Sequence, residues 1–282
     1  MAVLLTGKPV ADALSADTRT RAEALLSKGV QPRLVLLRCG DNEADGAYIR
    51  GAVKRAALCG VAAELRTLPA DASADVVAAA IDAVNRDPAV HSCLLLRPLP
   101  PHLRGEESAL CARLTPDKDV DGMTPGSLAG LLTGQSGFAP CTAQACLELL
   151  DYYDIPLAGR RAVVVGRSLV VGQPAALLLQ GRNATVTVCH TGTRDIPALC
   201  READVLIAAA GRPGLITADC LRPGQTVLDV GVHPGPDGTL CGDVAAEAAA
   251  LDVALTPVPG GVGSVTSAVL CKHTVQAAEK TL

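Results

Sequence analysis

Short runs of branched apolar residues alternate along the chain with longer stretches rich in Ala, Leu and Val. Residues 9–28 predict a first helix and residues 33–38 (Arg-Leu-Val-Leu-Leu-Arg) a strand. Residues 45–59 have helical composition and close on Gly60, a residue suited to the left-handed position after a helix. A strand over 62–67, a helix over 73–85 and a buried strand over 92–96 follow. Prolines at 98, 100 and 101 must then end the ladder. Strand and helix in alternation imply parallel pairing through crossovers, hence an α/β fold.

A second series begins near residue 140. Residues 161–165 form a short apolar strand, a helix starts near Pro174, and strands are predicted over 185–190, 203–210 and 226–232. The tail after Thr266 predicts one last helix. Between the two series, residues 116–125 are polar and bounded by prolines, as a loop at a domain edge would be. The pattern implies two α/β lobes with parallel sheets. The expected division is residues 1–122 with 267–282, residues 141–266, and a connecting segment over 123–140.

Composition narrows the function. The 282 residues are 49% hydrophobic and 19% charged, which suits a globular core, not a solvated polymer. A formal net charge of −4, one Phe and no Trp argue against nucleic acid as a partner, since both counterion release and base stacking lack their means. The eleven cysteines are scattered, odd in number and form no Cys-x-x-Cys pair, so they are expected as buried small hydrophobes in a reducing cytosol. Cys189 and His190 adjoin on a predicted strand and point to opposite faces, so no metal site is expected. With no apolar run near the roughly 18 residues a bilayer span needs, a soluble, cytoplasmic protein without a membrane partner is expected.

The chemistry concentrates at Val165-Gly166-Arg167-Ser168 and Gly172-Gln-Pro174. A strand, a glycine turn and a helix start expose backbone N–H groups to a phosphate. The spacing is not the usual Gly-x-Gly-x-x-Gly of dinucleotide sites, and a plain strand-to-helix turn stays open as a reading. The next strand ends at His190-Thr191-Gly-Thr193-Arg194. Hydroxyls and Arg194 there, with Arg167, favour the extra phosphate of NADP over NAD, although Asp195 points the other way.

Three ordered motifs, Gly166-Arg-Ser-x-x-Val-Gly172-x-Pro174, Asp117-Lys-Asp-Val-Asp-Gly122 and Pro257-Val-Pro-Gly-Gly-Val-Gly263, resemble the bifunctional methylenetetrahydrofolate dehydrogenase/methenyltetrahydrofolate cyclohydrolase family. The likeness runs from Leu5-Thr-Gly-Lys8 through Pro140-Cys-Thr142, Asp229-Val-Gly231 and Gly242-Asp-Val244 to the last helix. It implies an α/β fold with an N-terminal lobe for tetrahydrofolate derivatives, a C-terminal lobe for NAD(P) built as a Rossmann-type doubly wound parallel sheet, a cleft between them and a homodimer. It also implies that Tyr48 packs on the folate ring and Asp121 bonds the pterin, with Pro259, Gly260 and Gly261 lining the substrate site. Gly166, Arg167, Ser168, Gly172, Pro174, His190, Thr191 and Val232 would hold the cofactor.

Two departures stand out. The family's catalytic Lys follows its Tyr by four residues, about 400° along a helix and so on the same face. Here that position is Ala52, while Lys54 lies about 240° from Tyr48. The family's catalytic Gln is replaced by Leu96. Neither Ala nor Leu can move a proton, so the cyclohydrolase step is expected to be lost or weak while hydride transfer persists. Strand alternation turns Arg97 away from the site as a substitute. Asp45, Ala143 and Ser264-Val265 depart from the family pattern at smaller positions. Three readings follow: a dehydrogenase working with a separate cyclohydrolase, a silent folate- and nucleotide-binding paralogue, or a dehydrogenase for another substrate.

Overall fold

In chain order the elements are β1 (Val3–Leu4), α1 (Gly7–Leu26), β2 (Arg33–Cys39), α2 (Glu43–Leu58), β3 (Ala62–Leu68), α3 (Ala74–Arg86), β4 (Ser92–Leu95), α4 (Glu107–Cys111), α5 (Pro125–Thr133) and α6 (Cys141–Tyr152). They continue as β5 (Arg161–Val165), α7 (Gly172–Gly181), β6 (Thr185–Cys189), α8 (Ile196–Glu202), β7 (Val205–Ala208), β8 (Thr226–Asp229), β9 (His233–Pro234), β10 (Leu240–Cys241), β11 (Ala254–Leu255) and α9 (Thr266–Glu279). This computed structural model describes residues 1–135, 137–235 and 238–282, apart from the side chains of residues 43, 44 and 47.

The chain forms two compact units, one of Met1–Ala11 with Thr142–Thr266, the other of Asp12–Cys141 with Ser267–Leu282. The expected division differs at two places. Residues 1–11 go with the C-terminal series because β1 pairs in parallel with β11. Residues 123–140 are no free connector. Thr124 caps α5 by accepting from the Ser127 amide at 3.1 Å, Pro125 opens the helix, and Gly134 at φ 69° closes it.

The unit of Asp12–Cys141 and Ser267–Leu282 holds a parallel sheet in the order β3-β2-β4. Central β2 buries Leu34, Val35, Leu36 and Leu37 together, so its sequence is a continuous apolar run without alternation. β3 lies at the edge and points Glu64 and Arg66 outward, bonded at 2.8 and 3.2 Å. Helix α3 buries Val77, Ile81 and Val84 at helical spacing, each side chain contributing about 1.5–3 kcal/mol.

The other unit carries a six-stranded parallel sheet in the order β1-β11-β8-β7-β5-β6. The chain runs from β5 out to β6 and returns to β7 on the opposite side of β5, so strand order reverses there. In such sheets ligands bind outside the carboxyl ends of the strands at the reversal. The eleven thiols are free and nine of them are buried, as expected of small core hydrophobes. Among the described residues no helix is long and apolar enough to cross a membrane.

Candidate active site

Register brings the turns that carry Gly166–Ser168, His190 and Thr191, the residues expected at a cofactor, to one edge. Val165 pairs with Cys189 on one side and Ala208 on the other, so the turns after β5, β6 and β7 share one edge of the sheet. Gly166 has φ 127°, and a Cβ there would collide with the Ala209 carbonyl oxygen. A Cβ on Gly172 would strike the Gly166 carbonyl in turn. These two glycines fold the turn tightly enough to bare its backbone. Helix α7 then starts at Val171 with no side-chain cap, while the Ser168 hydroxyl accepts from the Val171 amide at 3.2 Å. Arg167 and Ser168 are exposed and Pro174 is buried.

His190 lies just past β6, whose predicted end was one residue too long. Its Nδ1 accepts from the Gly192 amide at 3.1 Å, so the ring proton sits on Nε2. Thr191 is exposed beside it. The Asp195 carboxylate caps α8, accepting from the Ala198 amide at 3.2 Å. Among the described residues no cluster could hold a metal ion.

β8 ends at Asp229, so Val232 lies beyond the strand predicted for it and is 57% exposed. It lines a pocket of about 260 Å³ with residues 257–264, which include Pro259, Gly260 and Gly261. Two carboxylates brace this edge. Asp229 accepts from the amides of Gly231, Asp243 and Val244 at 2.9–3.1 Å. Burial pushes its pKa up to about 6 despite those bonds. Asp243, fully buried, accepts from the amides of Ala210, Gly211 and Arg212 at 2.6–2.9 Å and from His233 Nε2 at 2.7 Å. Sequence reasoning noted Gly242-Asp-Val244 as a motif and gave Asp243 no role, because its partners are distant backbone amides.

In the other unit the loop over 116–125 docks on β4 through the Cys93 amide and the Lys118 carbonyl, 2.8 Å apart. Its polar residues then take different duties. Asp117 pairs with Lys280 at the surface, and Lys118 Nζ donates to the carbonyls of Val84 and Asp87. Asp119 is buried and accepts from the amides of Met123 and Thr124, the ordinary turn-making role of Asp. Asp121 is left facing a pocket of about 220 Å³ lined by Asp45, Tyr48, Leu94, Leu95, Leu96, Arg97 and Asp121. Tyr48 and Asp121 thus line one pocket. Tyr48 is 44% exposed, while burial of its hydroxyl end and the nearby Asp121 charge push its pKa up.

Ala52 is 2% exposed and belongs to the buried stripe of α2 with Ile49 and Ala56. Leu96 is 8% exposed and lines the pocket. Arg97 corrects an expectation. The alternation that would turn it away holds only within a strand, and β4 ends at Leu95, so both Leu96 and Arg97 reach the pocket.

Asp121 titrates near 6. Burial raises it most, then the Asp119 charge, against the lowering influence of Arg97 and a bond from Cys141. Its folded pKa exceeds the ordinary value of 3.8, so the folded protein binds the proton more tightly. Stability therefore rises as pH falls through 6 towards 4, and the cost is fully present at neutral pH. Asp121→Asn should raise stability at pH 7.5 by about 1–2 kcal/mol, with the gain fading below pH 5. Melting curves across that range check it, and a gap that widens on acidification would contradict the assignment.

Family models agree with this geometry. The tetrahydrofolate dehydrogenase/cyclohydrolase catalytic domain matches residues 5–121, and the NAD(P)-binding domain of the same family matches residues 140–282. The bifunctional protein FolD of Nocardia farcinica is 48% identical, over 99% of this chain and 98% of its own. That of Carboxydothermus hydrogenoformans is 46% identical over the same shares. The solved bifunctional FolD methylenetetrahydrofolate dehydrogenase/cyclohydrolase of Campylobacter jejuni superposes with a TM-score of 0.94 at 35% identity, covering 100% of both chains. A Trypanosoma brucei FolD solved with NADP and an inhibitor gives 0.90 at 34% identity, over 99% of this chain and 98% of its own. Two domain models in order, near-complete coverage and a shared fold at this identity leave one conclusion: the chain belongs to the tetrahydrofolate dehydrogenase/cyclohydrolase family of folate one-carbon metabolism.

Proposed function

We propose that this chain oxidises methylenetetrahydrofolate to methenyltetrahydrofolate with NADP, and that its cyclohydrolase step is lost or weak. The observation that carries the reading is the lining of the Tyr48–Asp121 pocket. Among the described residues that lining holds Leu96 where the amide belongs and has no lysine or glutamine, and Ala52 is buried. A folate ring finds an aromatic face in Tyr48 and a carboxylate acceptor in Asp121. Opening the methenyl ring needs water activation and proton transfer, which alkyl side chains cannot give.

Hydride transfer asks less, chiefly that two rings be oriented and water kept out. NADP, when bound, supplies the hydride acceptor. The turn of Gly166, Arg167, Ser168 and Gly172 suits its diphosphate, since a Cβ at either glycine would close the turn on itself. Arg167, His190 and Thr191 would meet the ribose phosphate. The Asp195 carboxylate is engaged in capping α8, which supports NADP over NAD because that acid is not free to grip the ribose hydroxyls. Val232, Pro259, Gly260 and Gly261 would border the nicotinamide and substrate side. A homodimer and a separate hydrolase for the methenyl product belong to this reading.

Mixing purified protein with methylenetetrahydrofolate and NADP should give growth of both NADPH and methenyl absorbance, with the methenyl product decaying no faster than its spontaneous hydrolysis. Formyltetrahydrofolate appearing as fast as NADPH would refute the lost step. Binding of both ligands without turnover would refute the dehydrogenase.

A further inference from the structure

We propose that Arg97 is a positioning residue of the folate pocket: its guanidinium, on the same cavity wall as Tyr48 and Asp121, keeps the Asp121 carboxylate in the ionised form that accepts from a pteridine's N–H groups. The inference rests on the folate reading above and goes beyond it, because it assigns a duty to a residue that the family pattern leaves unassigned.

Three observations converge on it. Arg97 is the one cation among the described residues lining this pocket, whose other charged members are Asp45 and Asp121. Its side chain makes no hydrogen bond and no ion pair among the described residues, unlike Arg38, Arg55, Arg66 and Arg113 in the same unit. A guanidinium with five uncommitted donors at a pocket mouth acts through its field and toward ligand. Third, the remaining surroundings of Asp121 press it towards the neutral form.

Those surroundings come from every element that packs there. α2 presents Tyr48 and Asp45, and the loop itself presents the buried Asp119. The start of α6 presents the Cys141 thiol, which donates to the Val120 carbonyl at 3.2 Å and lies against Asp121. From α9, His273 Nδ1 donates to the same Val120 carbonyl at 2.8 Å, and the Cys271 thiol lies near Cys141. Burial and the Asp119 charge raise Asp121, and the Arg97 charge opposes them. A protonated Asp121 would keep an O–H donor where a pteridine also presents N–H donors, and two donors facing each other lose the bond.

Arg97→Leu and Arg97→Lys test this through the pH profile of KM for methylenetetrahydrofolate against that of kcat. In the parent protein KM should stay level down to about pH 6.5. In Arg97→Leu the rise of KM at low pH should begin about one unit higher, giving roughly a threefold higher KM near pH 6.5 that approaches about tenfold below pH 5.5 and closes by pH 8.5. The change should fall on KM, and Arg97→Lys should restore the parent profile. In an Asp121→Asn background, Arg97→Leu should add no pH-dependent change to tetrahydrofolate affinity measured by calorimetry. A KM raised equally at every pH, or left unchanged, overturns the role of Arg97 while leaving the folate reading intact. A parent protein that neither binds tetrahydrofolate nor turns over its methylene form overturns both.

Discussion

Gly166→Ala is expected to abolish measurable NADP binding while the protein still folds. The residue sits at φ 127°, where a side chain costs about 1–3 kcal/mol in backbone strain alone. The new Cβ would also be driven into the Ala209 carbonyl oxygen at the end of β7. Relief requires β5 and β7 to part or the turn to swing outward, and either motion withdraws the amides proposed to meet the diphosphate. Affinity should fall by about 100-fold or more, because roughly 3 kcal/mol of strain and lost hydrogen bonds falls on the bound state. Calorimetric titration with NADP reads this directly, with circular dichroism as the folding control. Because the residues lining the folate pocket belong to the other compact unit, tetrahydrofolate binding should persist. Undiminished NADP affinity would remove the glycine turn from the cofactor site.

The double variant Ala52→Lys, Leu96→Gln should gain methenyltetrahydrofolate hydrolysis by about 10²-fold or more, the lower range of what a positioned acid–base pair provides. Leu96 already lines the pocket, so an amide at that position enters the site directly. Position 52 is harder. It lies in the buried stripe of α2, so a lysine stem must be accommodated in packed surroundings at about 1–3 kcal/mol. Partial burial also favours the neutral amine, which suits a group that exchanges protons near neutral pH. The melting temperature should therefore drop while hydrolysis rises, and each single variant should gain less than the pair. The decay of methenyl absorbance, corrected for spontaneous hydrolysis, is the measurement. If the parent already hydrolyses as fast as the double variant, the two substitutions do not limit this step.

Stability and function pull apart at the same carboxylate. Asp121 costs stability at neutral pH because its carboxyl is withdrawn from water beside the Asp119 charge, yet the proposed pteridine contact needs it as an ionised acceptor. The protein tolerates this because Asp119 is satisfied by the amides of Met123 and Thr124, which fixes the loop that aims Asp121. Two acids two positions apart thus take different places, Asp119 in making the turn and Asp121 on the pocket wall.

The alternation of strand and helix, the Gly166–Gly172 turn and the motif carrying Asp121 were all legible in the linear order, because each depends on local periodicity or backbone freedom. The absence of a lysine at 52 and of a glutamine at 96 was equally plain. Short β1 and β11 were not legible, since two-residue strands carry no period and form only on distant partners, β11 on β8 and β1 on β11. The duty of Asp243 lay hidden for the same reason, its carboxylate being matched to amides more than thirty residues away. Arg97 is the sharpest case. From the order of residues alone it alternates away from Leu96, whereas in the folded chain β4 has already ended and both side chains enter one cavity. The sequence by itself determined which chemical groups this protein owns and which it lacks. Only the tertiary structure decided which of them face one another, because that depends on strand ends and register, and those are settled by pairing partners far along the chain.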